Sequence, residues 1–83
     1  MQLTVRYFAS IRETIGLGSE QVQTSSATLA MLRDELIGRG APYAQGLARG
    51  RSLRMALDQV MHDESATLTD GAEVAFFPPV TGG

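Results

Sequence analysis

Cysteine and lysine are both missing from this chain of 83 residues. Without cysteine there is no disulfide framework, no thiolate metal site, no cysteine nucleophile and no persulfide carried on cysteine. Without lysine there is no Schiff-base chemistry, no lysine acid/base catalysis and no lysine of this chain to be conjugated. The seven basic residues are all arginine, spread from Arg6 to Arg54 and outnumbered by nine acidic ones, for a net charge of -2. No basic stripe forms to pair with phosphates, so nucleic acid is not an expected partner. No apolar run approaches the roughly 18 to 20 residues of a membrane span, and the opening MQLTVRYF lacks the basic segment and long apolar stretch of a signal peptide. A cytoplasmic protein without a membrane partner is expected. The single histidine, His62, stands beside Asp63-Glu64 without further ligands at metal spacing, so no metal site is expected.

What is present suits one small domain. A hydrophobic content of 43% gives enough apolar surface for one core, and the length leaves no room for a second. Gln2 to Phe8 alternates, with Leu3, Val5 and Tyr7 on one side and Thr4, Arg6 and Phe8 on the other, the period of a half-buried strand. Ala9 to Ile15 reads as a short helical stretch in which Ile11 and Ile15 share a face, ended by Gly16-Leu17-Gly18. A strand pattern resumes over Ser19 to Thr24, anchored by Val22. Thr28 then stands as the N-cap of a helix that gathers Leu29, Leu32, Leu36 and Ile37 on one face and puts Arg33, Asp34 and Arg39 elsewhere. Gly38 or Gly40 supplies its stop. Residues 41–51 read as a loop with one further helical turn. Leu53 to Asp58 predicts a third strand, Val60-Met61 a short fourth, and Ala72 to Phe77 a last one entered through the Asp70-Gly71 turn.

This order gives an α+β domain in which one main helix covers one face of a small mixed sheet. With the first and last strands paired in parallel at the centre and the helix in the crossover between them, the arrangement is a β-grasp, the ubiquitin-like fold. The domain is expected to occupy residues 1–77.

Residues 78–83 are expected to form an extended C-terminal tail, Pro78-Pro79-Val80-Thr81-Gly82-Gly83. Consecutive prolines cannot donate to a sheet ladder, so regular pairing should end at Phe77 and the chain should leave the domain stiffly. Six residues at about 3.3 Å each reach roughly 20 Å, and Gly82-Gly83 has no side chains to obstruct a narrow channel. Such a tail can place its terminal carboxylate deep within a partner.

The last fifteen residues, TDGAEVAFFPPVTGG, resemble the C-terminal motif of the small-subunit family of molybdopterin synthases. The opening LTVRYFASIRETIG, residues 3–16, is similar to that family's first strand and helical turn, whereas residues 41–52 carry no specific motif. The resemblance implies a sulfur carrier whose working group is the Gly83 carboxylate. A free C-terminal carboxylate has a pKa of about 3.3 to 3.7 and is a poor electrophile at neutral pH, so it needs activation. In the family an adenylating enzyme of the ubiquitin-activating type uses ATP to make an acyl-adenylate, and a sulfur donor converts it to a thiocarboxylate. The synthase's large subunit then takes the tail, and Gly83 delivers sulfur to cyclic pyranopterin monophosphate to form the dithiolene. The resemblance further implies a heterotetramer of two small and two large subunits, no cofactor bound to this chain, and catalytic residues on the large subunit, so that the chain is no catalyst alone.

Phe8 and Phe77 are expected on the sheet face away from the helix, with Met61 beside them, as an apolar docking patch at the root of the tail. The resemblance supports that placement for the large subunit and the adenylating enzyme alike. Alternatively one or both aromatics fill a second, minor core. Two other fates share the fold and the Gly-Gly end: a sulfur carrier for thiamin thiazole or another thiolated metabolite, and a ubiquitin-like modifier joined through Gly83 to lysines of other proteins. The FFPP segment and the length favour the molybdopterin branch.

Overall fold

The alternation that opens the sequence becomes strand β1, Gln2–Tyr7, which buries Leu3, Val5 and Tyr7 and turns its other residues outward. The structure, a computed structural model, describes residues 1–79. After β1 come α1 (Ala9–Ile15), β2 (Ser19–Gln23), α2 (Leu29–Ile37), α3 (Tyr43–Gly46), β3 (Arg54–Leu57), β4 (Val60–His62) and β5 (Glu73–Phe77). The sheet order is β2-β1-β5-β3-β4. β1 and β5 are parallel at its centre and the other neighbours are antiparallel, which is the expected β-grasp.

Phe8 continues the extended backbone of β1 for one residue and then serves as the N-cap position of α1. Its N–H donates to the Phe76 carbonyl at 3.1 Å, so the strand pairing outlasts the regular strand. α1 buries Ile11 and Ile15 and stops at Gly16, whose φ of +89° lets its N–H return to the Arg12 carbonyl. Thr28 caps α2 as its hydroxyl accepts from the Met31 N–H at 3.3 Å. Leu29, Leu32 and Leu36 are fully buried under the sheet, against Val5, Val74 and Phe76 in the same core. The further helical turn is α3, held so close to α1 that a Cβ on Gly46 would stand 3.1 Å from Ile15 Cγ1.

Arg33 departs from its expected place off the apolar face of α2. It lies four residues after Leu29, hence on the same side of the helix, and only 4% of it is exposed. Burial is tolerable because nearly all of its guanidinium is engaged: Nε donates to the Leu47 carbonyl, Nη2 to those of Ala48 and Arg51, and Nη1 to the Glu64 carboxylate. These bonds fix the 47–51 loop, where the sequence offers no periodicity. Arg49, a residue of that loop, ties it back to the rest of the chain by donating to Asp34, Glu64 and the Ala30 carbonyl.

β3 and β4 are joined by Asp58 and Gln59, both at positive φ, the two-residue turn that matches the twist of a hairpin. β4 runs on to His62, one residue past the expected Val60-Met61. Asp70-Gly71 forms the expected turn into β5, with Gly71 at φ +82° and the Asp70 carboxylate accepting from the Gln2 N–H at 2.7 Å.

Candidate functional site

β5 delivers the chain's last described residues to the middle of the sheet. Val74 and Phe76 point into the core and are fully buried, and Phe76 stacks on Tyr7 with ring centroids 6.2 Å apart. Because side chains alternate across a strand, Ala75 and Phe77 face the other way, onto the side without helices. The register extends that outer face across four strands: Arg6 of β1, Ala75 of β5, Ala56 of β3 and Met61 of β4 stand side by side. Toward the tail the next row is Phe8, Phe77 and Arg54, with Arg54 in register with Phe77.

Phe8 and Phe77 meet edge to face, ring centroids 6.3 Å apart and nearly perpendicular at 88°. Phe8 is 38% exposed and Phe77 half-buried, so neither fills a closed second core. Met61, 53% exposed, shares their face but lies on the edge strand, with β3 between it and β5. The two alanines between them keep the face low, and those small residues were not singled out in the sequence although period-2 alternation along β3 and β5 points to them. Val60, 58% exposed at the sheet edge, was also missed.

Pro78 and Pro79 follow Phe77 directly, half-buried and outside regular structure. They have no N–H to offer a ladder, so the pairing of β5 ends at the aromatic pair. Val80, Thr81, Gly82 and Gly83, named above as tail and working residues, lie outside the described residues.

The outer face is electrically graded. At the end away from the tail, Thr4, Glu73 and Asp58 surround the strands, and the Asp58 carboxylate accepts from the Glu73 N–H at 2.9 Å. At the tail end stand Arg6, with its guanidinium 5.3 Å from the centre of the Phe8 ring, and Arg54. Arg6 approaches Glu73 at 3.8 Å, a loose pair between exposed groups and worth little in stability.

The remaining ionisable clusters brace the fold. Glu20 accepts from the Tyr7 hydroxyl at 2.9 Å, the Tyr43 hydroxyl at 2.7 Å and Arg39 Nη1 at 3.2 Å, tying β1, β2 and α3 together. Partial burial alone would push the Glu20 carboxyl up, yet the bonds from Tyr43, Tyr7 and Arg39 outweigh it and hold it below the ordinary value. Burial, then Glu20, pushes the Tyr7 phenol upward, so it stays a donor. Arg12 and Glu13 are exposed on α1. Among the described residues no three His, Asp or Glu side chains gather as metal ligands, and no helix is long and apolar enough to cross a membrane.

Against known proteins, the model of the ThiS family matches residues 5–83. The molybdopterin synthase sulfur carrier subunit of Haemophilus influenzae is 38% identical over 81 residues, which cover 98% of this chain and 99% of that one. Among solved structures, SAMP1 from Haloferax volcanii superposes with a TM-score of 0.78 at 23% identity, covering all of both chains, a likeness of fold. A protein–protein complex of subunits 1 and 2 of the molybdopterin-converting factor from Helicobacter pylori includes a chain that matches with a TM-score of 0.67 at 27% identity, again covering all of both.

Proposed function

Since this chain belongs to the ThiS family, we propose that it acts as the sulfur-carrying subunit of a molybdopterin synthase, with the Gly83 carboxylate as its working group. The observation that carries this reading is 38% identity, over nearly the whole length of both chains, to a molybdopterin synthase sulfur carrier subunit. The geometry agrees with it: the tail leaves the sheet beside an uncovered aromatic pair, while every ionisable cluster on the helical side is consumed in holding the fold.

The chemistry is that of a carboxylate made reactive and then spent. An adenylating partner transfers AMP from ATP to a Gly83 carboxylate oxygen and releases pyrophosphate. Hydrosulfide released by a sulfur donor attacks the acyl carbon, AMP leaves, and a C-terminal thiocarboxylate remains. Glycine at this position leaves the reacting carbon open to attack. Bound by the large subunit, the thiocarboxylate sulfur attacks a side-chain carbon of cyclic pyranopterin monophosphate. A C–S bond forms as the C–O bond of that carbon breaks and its oxygen leaves, and water hydrolyses the resulting thioester to return the Gly83 carboxylate and leave the sulfur on the product. A dithiolene needs two sulfurs, so two deliveries are made per product. This chain supplies the carrier group and the docking surface; the large subunit supplies the residues that orient substrate.

Phe8 and Phe77, with Met61 toward the edge, are the surface we assign to the large subunit and, in turn, to the adenylating enzyme. Pro78 to Thr81 are the residues between that surface and Gly82-Gly83 in the sequence. A cytoplasmic assembly of two small and two large subunits completes the proposal. Deletion of Gly83 tests it: the variant should melt like the parent and form no thiocarboxylate with ATP, the adenylating enzyme and a sulfur donor. Thiocarboxylate formation by the truncated chain would overturn the reading.

A further inference from the structure

On the proposed docking face the aromatic pair is flanked by positive charge on either side of β5. Arg6 and Arg54 lie on opposite sides of β5, on the face that carries Phe8 and Phe77. Arg33, Arg39, Arg49 and Arg51 are tied into hydrogen bonds with their own chain, on the helical side or in the loops. Among the described residues the side chains of Arg54 and Arg12 make no hydrogen bond or ion pair, Arg12 standing on α1 and not on the sheet, and Arg6 has its loose contact with Glu73 and its place over the Phe8 ring. A chain of net charge -2 thus presents positive charge beside the aromatic pair.

An open hollow of about 410 Å³ lies at the β3–β4 end of the sheet, walled by Arg54 and Met61 from the outer face and by Arg33, Met55 and His62 from the helical side. Asp63 and Glu64 also line it, but both carboxylates are engaged. Asp63 accepts from the Ser65 N–H and hydroxyl, and Glu64 from Arg33 and Arg49. Arg54 is the wall's charged group still able to take a new partner through its full fork of donors.

We infer that the surface of the large subunit that covers Phe8 and Phe77 carries carboxylates opposite Arg6 and Arg54. This rests on the proposal that the large subunit docks on this face. Apolar contact between two flat faces leaves rotation poorly determined, whereas charges on either side of β5 fix the rotation that points the tail into the partner. They also speed encounter.

The test is the association rate of the full chain with the large subunit of its own synthase, measured from about 20 to 500 mM salt, a range over which screening removes steering between exposed charges. Wild-type association should slow as salt rises. Arg54→Glu should associate about tenfold more slowly at low salt with a smaller change in dissociation, and the gap should close at high salt. Arg54→Lys, which keeps the charge, should stay near wild type. If Arg54→Glu melts early, Arg54→Gln replaces it, with a smaller loss of the same sign expected. An association rate indifferent to salt, or one that Arg54→Glu leaves unchanged or raises, overturns the inference. Should Phe77→Arg abolish binding while Arg54→Glu has no effect, the docking face stands and the acidic partner surface falls. Absence of any binding by the wild-type chain overturns both.

Discussion

Glu20 takes three hydrogen bonds from neighbours on other elements, and its response to pH follows from them. Its carboxyl is held below the ordinary value in the folded chain, so the unfolded chain takes up the proton more readily. The stability it contributes is complete above the unfolded pKa of about 4.3 and is lost as pH falls through the lower folded value. Glu20→Gln should therefore cost about 1 to 3 kcal/mol at pH 7, the usual range for hydrogen bonds to a charged group, and progressively less below pH 4. Urea melts of both chains from pH 7 to 3 check this; a gap that stays constant over that range would contradict it. Neither this cluster nor the Arg33 hub was legible in the sequence. Charged residues read as solvated until their distant partners are known, and the partners of Arg33 are backbone carbonyls, which no residue type announces.

At the scale of elements, β5 decides where the docking face lies. Phe76 and Phe77 are neighbours in sequence with opposite surroundings: one is wholly buried against Tyr7, the other meets Phe8 on the outer face. Phe76→Arg forces an unpaired charge into the core at a cost of several kcal/mol, against a total stability of roughly 5 to 15, and should leave little folded protein. Phe77→Arg should fold with a near-normal melt and lose binding to the large subunit at least thirtyfold, as expected when a central aromatic anchor worth about 2 kcal/mol or more is replaced by a charge. Thermal melts and a binding titration separate the two. The reverse assignment of phenotypes would place the docking surface on the wrong side of the strand. This facing was legible because β1 and β5 alternate strictly, and Thr28 and Gly16 announced their helix ends. The 41–52 segment was not, since its order comes from Arg33 reaching in from α2 and from Arg49 reaching out to Asp34, Glu64 and the Ala30 carbonyl. The Asp58-Gln59 turn lacks the glycine that usually marks a two-residue hairpin.

Across the whole molecule, the proposed function divides labour between a braced domain and a tail that carries the reacting group. The sheet holds the root of the tail at Phe77, and the reacting group is expected about six residues further on, roughly 20 Å if extended. Gly82→Val should leave the melt unchanged, because the change lies past the last residue of β5. It should sharply reduce both thiocarboxylation and synthase turnover, since a β-branched side chain must then enter a channel shaped for backbone. Undiminished rates would mean that the partner's channel is wide. The central claim, that Gly83 carries sulfur, is tested most directly by the intact mass of the chain purified from its own host. A fraction of molecules should have one carboxylate oxygen replaced by sulfur, and that fraction should vanish when the adenylating partner is deleted. An unmodified carboxylate in every molecule while molybdopterin is being made, or Gly83 found joined to lysines of other proteins instead, would contradict it.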